Sequence, residues 1–313
     1  MAPTNAQTIH VDGHDVKVTH PDKELFPDDG ITKSDVVDHY RAVSAAMLPH
    51  LAGRPLTMRR YPDGIDSGGF FQKHASDYFP DWLRTAEMPM RSEEGTVDHA
   101  IAEDEAALVY LANQNTVEFH VWLSTVEKPD HPDRLVIDID PPDGVTVATL
   151  RAVARHARDL YADVGLTPFT QATGGRGFHV VAPLDRSADF DLVRDLADRL
   201  ADRLAAKEPD LLTTEQRKNK RGDRIFLDVN RNAYGQTFVA PYSLRARPGA
   251  GVATPLDWSE LGRATPNGST VASIRRRLAR KTDPWAGIDD HAGAAGEARE
   301  RLDALEDAPR NPR

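Results

Sequence analysis

One short stretch, Arg134-Leu-Val-Ile-Asp-Ile-Asp-Pro-Pro142, constrains the fold more than any other part of the chain. Its apolar run is too short for a helix, and two prolines that cannot continue a ladder follow it, so it predicts a strand buried on both faces. Because side chains alternate along a strand, Asp138 and Asp140 point the same way. Such a carboxylate pair at the edge of a sheet suits Mg²⁺ or Mn²⁺, although aspartates that cap a turn give the same pattern.

A glycine-rich loop follows the next predicted strand, in the stretch Ala172-Thr-Gly-Gly-Arg-Gly-Phe-His-Val-Val-Ala-Pro183. The glycines let the backbone approach a bound group closely. Thr173, Arg176 and His179 add a hydroxyl, a bidentate cation and an imidazole, which suit a triphosphate. The spacing fits neither a P-loop nor a dinucleotide fingerprint. A plain hairpin with a glycine turn is the simpler alternative.

A third carboxylate, Asp228, ends a predicted strand that follows the most basic run of the chain, residues 213–224. Three carboxylates on two strands can bridge two divalent ions, which would activate an attacking hydroxyl and neutralise a leaving group. The basic run would attract phosphates, although solvated loops commonly carry such charges. Phosphoryl transfer is therefore the favoured reaction class.

Lys23 and Lys33 flank the start of a predicted helix that Thr32 caps and whose apolar stripe runs from Val36 to Leu51. Backbone N–H groups and the helix dipole favour an anion at such a position. The two lysines therefore indicate a phosphate site, and the alternative is a pair of solvated surface lysines.

Phe70 and Phe71 follow a glycine-rich turn and lie near Arg59, Arg60 and Lys73 in the sequence. Adjacent aromatic rings beside cations suit the stacking of nucleic-acid bases. Because neighbouring side chains of an extended segment face opposite ways, we expect at least one ring to lie in the core.

Other periodic segments predict three helices and two strands, over residues 103–113, 147–164, 190–206, 55–61 and 117–123. The last of these strands contains His120, which could contact a nucleotide or a metal, although a lone histidine in a strand is more often structural.

Composition narrows the function classes further. The 313 residues allow one large or two small domains, and the absence of cysteine excludes disulfides, thiolate metal sites and cysteine nucleophiles. The formal charge of -10 argues against indiscriminate nucleic-acid binding but does not describe local patches. No segment reads as a targeting peptide or membrane span, so we expect a cytoplasmic protein with no membrane partner.

These motifs, in this order, resemble the polymerase domain of bacterial DNA ligase D, a branch of the archaeo-eukaryotic primase superfamily. The resemblance covers roughly residues 15–285. It rests on nine segments: Lys23-Glu-Leu-Phe-Pro with Gly30-Ile-Thr-Lys33, Gly53-Arg-Pro-Leu, Phe70-Phe-Gln-Lys73, His120-Val-Trp, Asp138-Ile-Asp140-Pro, Thr173-Gly-Gly-Arg-Gly-Phe-His179, Asp228-Val-Asn-Arg-Asn and Pro241-Tyr-Ser-Leu-Arg-Ala-Arg-Pro-Gly-Ala250.

The resemblance implies an α/β (α+β) fold, a two-sheet primase-polymerase core with the active-site cleft between the sheets. It implies template-dependent nucleotidyl transfer from NTP or dNTP substrates with two Mn²⁺ or Mg²⁺ ions. The metal-binding catalytic residues would be Asp138, Asp140 and Asp228. Nucleotide contacts would come from His120, Thr173, Gly174, Arg176, Gly177, His179 and Arg245. DNA contacts would come from Lys23 and Lys33 at a 5′-phosphate, Phe70 and Phe71 on the template, Lys73, and Arg221 near the primer end.

The resemblance also implies partners and a pathway. DNA with a gap or a double-strand break and a 5′-phosphate would be filled in non-homologous end joining, with ribonucleotides often preferred, beside Ku and a separate ATP-dependent ligase on the nucleoid. Thr173 and Arg176 stand where ligase D members usually have Ser and Lys, which is more similar to stand-alone relatives. No KxDG ligase motif or phosphoesterase segment is present, so we expect no nick sealing by this chain.

Three segments are expected: a flexible arm over residues 1–14, the catalytic domain over 15–285 and a mobile tail over 286–313. Three other functions stay open, namely a primase that starts strands de novo, a non-catalytic module that binds and bridges DNA ends, and a metal-dependent nuclease. The triphosphate-type loop argues against the nuclease.

Overall fold

The computed structural model describes residues 6–91 and 94–307. The helices within these residues are α1 (Lys33–Leu51), α2 (Glu105–Asn113), α3 (Val147–Asp163), α4 (Phe190–Lys207), α5 (Lys218–Arg221), α6 (Val271–Leu278) and α7 (Ala295–Asp307). The strands are β1 (Ala6–Val11), β2 (His14–Thr19), β3 (Glu24–Phe26), β4 (Ile31–Thr32), β5 (Leu56–Arg60), β6 (Phe70–Gln72), β7 (Thr85–Pro89), β8 (Thr96–Ala100), β9 (Thr116–Trp122), β10 (Arg134–Asp140), β11 (Phe169–Ala172), β12 (Phe178–Pro183), β13 (Leu212–Thr213), β14 (Ile225–Asp228), β15 (Thr237–Val239) and β16 (Thr254–Leu256). No helix of this part of the chain has the length and apolar content to cross a bilayer.

Two sheets organise the chain. The larger has the order β13-β14-β10-β12-β11-β16, in which β13 and β14 run parallel and the other neighbours antiparallel. The smaller is antiparallel and has the order β15-β9-β5-β6. Three two-stranded ribbons, β1-β2, β3-β4 and β7-β8, complete the strands. The predicted α/β fold with two sheets is confirmed.

The strand β10 separates two apolar cores, as its burial on both faces predicted. Leu135, Ile137 and Ile139 face the core that contains α3 and α4. Val136 faces the other core, which contains α1, α2 and the smaller sheet. Since side chains alternate, Asp138 continues the face of Val136 and opens toward the smaller sheet. β10 is an interior strand of the larger sheet, between β14 and β12. The aspartate pair therefore lies at the carboxyl end of an interior strand and not on an outer strand.

The helix α1 follows its sequence signals closely. Thr32 and Asp35 form the predicted capping box, and Pro49 lies within the last turn of the helix. A buried hydroxyl fixes the helix to the smaller sheet, because Tyr40 Oη donates to the carbonyl of Val117 at 2.6 Å. The entrance of α1 is therefore held in a set position relative to β9.

Residues 6–14 form β1 and its turn, where the sequence suggested a flexible arm. β1 pairs with β2 along six positions, and Ile9 reaches the core. Asp12 accepts a hydrogen bond from the backbone N–H of Ala106 at the start of α2. The pairing of β1 with β2 and the contacts of this segment with the core give it a defined structure, which its polar composition did not predict. Residues 1–5 of the predicted arm lie outside the described part of the chain.

The end of the described chain is also ordered where a mobile tail was expected. Leu302 of α7 is fully buried, and Ala298 lies one turn before it on the same face. Arg199 of α4 forms an ion pair with Asp303 at 2.6 Å. The buried apolar side chains of α7 form a narrow stripe. Such a stripe is difficult to recognise in a segment rich in glycine and alanine. Residues 308–313 lie outside the described part, and the domain boundaries at 15 and 285 stay predictions.

A buried side-chain amide extends the ladder of β10 beyond its pairing with β14. Asn232 is fully buried, and its Oδ1 accepts from the N–H of Val136 at 2.8 Å. Its Nδ2 donates to the carbonyls of Val136 at 2.7 Å and Val229 at 2.8 Å. The amide thus replaces a peptide group of a neighbouring strand.

Substitution Asn232→Ala should lower the free energy of unfolding by about 2–4 kcal/mol, because both backbone groups of Val136 would stay buried without a partner. Urea unfolding followed by circular dichroism measures this. The matched control is Asn267→Ala, an exposed asparagine that should change the midpoint little. Equal midpoints for the two variants would contradict this role.

Candidate active site

Three polar side chains form a row across neighbouring strands of the larger sheet. Asp138 of β10 stands opposite Asp228 of β14 on one side and opposite His179 of β12 on the other. His179 Nε2 lies 3.5 Å from Asp138 Oδ1. Asp140 follows on the same face of β10, two residues on. Strand pairing alone therefore brings the three predicted carboxylates to one place.

The charges of these carboxylates influence one another. Burial and the negative charge of Asp138 raise the pKa of Asp140. Burial also opposes ionisation of Asp138, but the neighbouring His179 and the charge of Arg231 outweigh it, so the pKa of Asp138 is lowered. The two carboxylates are close enough to repel, and a cation between them would relieve that repulsion.

The donor set fits a hard divalent cation, since all three side chains offer carboxylate oxygens. All three are engaged with other partners, Asp138 with His179 at 3.5 Å. Asp228 Oδ1 accepts from the N–H and the Nδ2 of Asn230 at 2.9 and 2.8 Å, and Asp140 lies 3.3 Å from Arg176 Nη2. In the ranges that the structure describes, no three ligand side chains converge as a ready metal site. Ion binding would require these carboxylates to exchange partners.

The glycine-rich loop is built by close backbone packing. A Cβ at Gly177 would lie 1.9 Å from the carbonyl oxygen of Ile139, and one at Gly174 would lie 2.7 Å from the backbone carbon of Val252. Only glycine allows these approaches, which hold the loop against β10 at Gly177 and against Val252 at Gly174. Thr173 is buried, and its hydroxyl donates to the carbonyl of Gly177 at 2.9 Å. The hydroxyl predicted to contact a triphosphate thus also fixes the loop.

Arg176 extends from this loop over the carboxylates. Its Nη2 lies 3.3 Å from Asp140 and its Nη1 lies 3.2 Å from Asp143. Asp143 is almost fully exposed, so the second contact is weak. Arg176 therefore lies close to the acidic row and can turn toward a ligand.

Sequence reasoning missed Glu118, which joins the smaller sheet to this site. Its side chain is 1% exposed, and Oε2 accepts from His120 Nε2 at 2.9 Å. Arg59 and Arg245 form ion pairs with the same carboxylate at 3.3 and 3.5 Å. Burial opposes its ionisation, but the hydrogen bond from His120 and the charge of Arg245 lower the pKa of Glu118 to about 2.

The signal that could have revealed Glu118 is the alternation of β9. Glu118 and His120 are two residues apart, so they share a face of a strand whose other residues, apart from Thr116, are apolar. A buried carboxylate needs cationic partners, which a single sequence does not place. Arg245 continues this network, because its Nη1 donates to the carbonyl of Thr173 at 3.1 Å.

A cavity of about 360 Å³ lies between the two sheets, and we call it the cleft. The predicted cleft between the sheets is thereby found. It brings together six predicted site residues: Phe71, Lys73, His120, Asp138, His179 and Arg245. Arg231, which sequence reasoning also missed, lines the cleft and lies 3.5 Å from Asp228.

Both predicted aromatic residues lie on the surface, and the expectation that one would enter the core is wrong. Phe70 is 48% exposed and Phe71 is 58% exposed. They point to opposite faces, but β6 is an outer strand with neither face covered at these positions. Arg60 lies over the Phe70 ring and Arg59 over the Phe71 ring, at 5.7 and 5.2 Å from the centroids.

Lys23 and Lys33 meet at the entrance of α1, outside the cleft lining. The backbone N–H of Lys33 donates to the carbonyl of Lys23 at 2.7 Å, and Lys33 is 3% exposed. Burial, the charge of Lys23 and the charge of Arg60 lower the pKa of Lys33 to about 8. Three cations gathered at a helix entrance favour an anion there.

Arg221 lies at the end of α5 in the basic run. Its guanidinium donates to the carbonyls of Glu215 and Gln216, each at 2.9 Å, and stacks 3.5 Å from the centroid of Phe226. Phe226 pairs in register with Asp140. Arg221 therefore holds its own loop beside the carboxylates, and its predicted DNA contact stays a prediction.

Comparison with known proteins agrees with this geometry. The chain matches the family model described as LigD, primase-polymerase domain, over residues 32–285. It is 37% identical, over 95% of its length, to the multifunctional non-homologous end joining protein LigD of Mycobacterium bovis. It is 31% identical, over 86% of its length, to the bifunctional non-homologous end joining protein LigD of Bacillus subtilis. The chain spans 40% and 43% of these two relatives.

A solved structure is also similar. The polymerase domain from Mycobacterium tuberculosis ligase D, in complex with DNA, superimposes with a TM-score of 0.82 at 38% sequence identity. The match covers 89% of this chain and 99% of that one. The predicted resemblance and the two-sheet fold are confirmed by these similarities.

Substitution Glu118→Gln should lower the free energy of unfolding at pH 7 by about 3 kcal/mol, because a pKa lowered from 4.5 to about 2 measures how strongly folding favours the carboxylate. This contribution is complete above pH 4.5 and is lost as the pH falls toward 2. Wild type and variant should therefore converge in acid when urea unfolding is measured at several pH values.

The matched control is Glu300→Gln, an exposed glutamate that has no ion pair with other described residues. It should leave the pH dependence unchanged. A constant difference between wild type and Glu118→Gln from neutral to acid pH would exclude the proposed charge effect.

Proposed function

The chain belongs to the LigD primase-polymerase domain family, and on that premise we propose that it is a template-dependent nucleotidyltransferase. It adds ribo- or deoxynucleotides at gaps and at double-strand break ends. The substrate is an NTP or dNTP, and the growing end is a 3′-hydroxyl. The single observation that carries this proposal is the row of Asp228, Asp138 and His179 on neighbouring strands, with Asp140 beside it, at a cleft that Asp138 and His179 line together with three arginines.

The three carboxylates would hold two Mn²⁺ or Mg²⁺ ions, in keeping with their oxygen donors. When bound, such ions lower the pKa of a primer hydroxyl and neutralise charge on the leaving pyrophosphate. Asp138, Asp140 and Asp228 would hold them by releasing Arg176, Asn230 and Arg231. Arg176, once released, is free to bind a phosphate oxygen with its planar guanidinium.

The remaining polar groups bind and orient the triphosphate. His179 adjoins Asp138, and Arg245 is fixed by Glu118 on one side and by the glycine-rich loop on the other. His120 faces the same cavity and is held by Glu118. Since these groups are already positioned, little side-chain freedom is lost on binding.

Phe70 and Phe71 offer exposed rings on which template bases can stack. The lysine pair at the start of α1 would bind the 5′-phosphate across a gap. Support comes from the lowered pKa of Lys33, which reflects its burial and the nearby positive charges of Lys23 and Arg60. We propose that the protein acts in the cytoplasm on nucleoid DNA in non-homologous end joining, beside Ku and an ATP-dependent ligase. The relatives are named for that pathway.

Substitution Asp228→Asn should reduce primer extension on a gapped duplex by roughly a hundredfold or more, because a ligand to the ions loses its charge. The assay uses Mn²⁺ or Mg²⁺ with ribo- or deoxynucleotides and a downstream 5′-phosphate. Asp210→Asn, an exposed aspartate, is the matched control and should extend like wild type. Full extension by Asp228→Asn would reject the proposed chemistry. Intact end binding without extension in the wild type would favour the bridging module.

The preference for a 5′-phosphate over a 5′-hydroxyl should be largest below pH 8 and shrink as the pH rises further, since the Lys33 pKa of about 8 sets the loss of its charge. Substitution Lys33→Ala should reduce the preference roughly tenfold or more. Fluorescence anisotropy with the two gapped duplexes measures it. Lys207→Ala, an exposed lysine at the end of α4, is the control. An unchanged preference in Lys33→Ala would place the phosphate elsewhere.

A further inference from the structure

A second cavity, of about 400 Å³, adjoins the cleft. It lies between the β7-β8 ribbon, the end of β9 and the segment that leads into β15. Lys73, Gly235 and Gln236 line both this cavity and the cleft, so the two spaces share a rim. Nothing in the proposed chemistry uses it.

The walls of the second cavity are mainly apolar and aromatic. They include Met88, Met90, Val97, Trp122 and Tyr234. Methionine side chains adapt to the shape of a flat guest, and aromatic rings offer surfaces for stacking. A partly open, mainly apolar space of this size with few polar groups is typical of a site for a flat organic ring.

Two rings on the wall have unused hydrogen-bonding capacity. Trp122 is 3% exposed, and its Nε1–H has no partner among the described residues. His99 Nδ1 lies 3.0 Å from the carbonyl of Leu56, so this nitrogen must donate and Nε2 is left as an acceptor. A buried N–H without a partner is costly, which indicates a missing acceptor. The edge of a nucleobase offers donors and acceptors side by side.

The shared rim favours a base on a strand over a free nucleotide. Lys73 is exposed and has no ion pair with other described residues, so it can bind a phosphodiester that passes from the cleft to the cavity. Arg91, also on the wall, is already paired with Asp130 at 2.9 Å and lies 4.4 Å over the Tyr234 ring. Lys73, which lines both cavities, is therefore the cation that is available to bind a phosphodiester.

We propose that the second cavity receives one unpaired base of the template strand, displaced from the stack beside the cleft. This inference rests on the proposed polymerase function. The base would lie among Met88, Met90 and Tyr234, with its polar edge toward Trp122 and His99 and its phosphate near Lys73. The template would thereby be held in register next to the reacting position.

The test places 2-aminopurine in turn at each unpaired template position of a gapped duplex. Binding is followed by fluorescence with the full chain carrying Asp228→Asn and without metal, so no turnover occurs. One position should change its emission far more than its neighbours. An abasic site at that position should weaken binding by about tenfold, because stacking and burial of one base are lost. Equal responses at all positions would overturn the proposal.

Two added substitutions test the cavity itself. Val97→Trp fills it and should abolish the position-specific signal, while Trp122→Phe keeps a smaller aromatic ring, removes the N–H and should weaken the signal. Trp258→Phe is the matched control, because its Nε1 already donates to the carbonyl of Pro168 at 2.8 Å, in loops that flank the larger sheet. Thermal unfolding checks that each variant folds. The abasic comparison needs no cavity variant, so it decides the question if one fails to fold.

Further measurements distinguish a base on a strand from a free nucleotide, and the cavity proposal from the proposed polymerase function. Free 2-aminopurine nucleotide that binds and is lost in Val97→Trp, with no position-specific strand signal, would overturn the strand assignment. Primer extension by the wild type on the same DNA without position-specific emission would reject the cavity and leave the polymerase function standing. A position-specific signal without primer extension would support the cavity proposal and reject the polymerase function.

Discussion

The alternation of side chains along β10 determines the rest of the structure. One face, with Leu135 and Ile137, is buried under α3 and α4, while the other carries Val136 into the second core and then Asp138 into the cleft. A shift of one residue would bury the aspartates and expose the apolar residues. The cores therefore fix the register, and the register fixes the acidic site.

Local signals in the sequence predicted much of the fold. The capping box of α1, the amphipathic periods of α3 and α4, and the β10 strand depend on residues close together in the chain, so one sequence contains them. The positions of the three carboxylates were predictable for the same reason, since they lie among the last residues of two strands. Recognition of the motif order supplied the two-sheet arrangement, which periodicity alone does not contain.

The rest depends on contacts between distant residues. The role of Glu118 depends on its ion pairs with Arg59 and Arg245. The role of Asn232 depends on its hydrogen bonds to Val136. The order of residues 6–14 and of α7 comes from docking on other elements, which polar composition conceals. The exposure of both phenylalanines follows from the position of β6 at the edge of its sheet, and alternation could not reveal that the inner face is open.

The outer position of β6 makes the protein prone to self-association when no nucleic acid is bound. Two exposed aromatic rings on a strand with unpaired backbone groups form a surface that favours self-association through edge pairing. Arg59 and Arg60, which cover the rings, place charge beside this edge and oppose aggregation. These arginines thus contribute to colloidal stability, and their neutralisation would lower the concentration at which the protein stays dispersed.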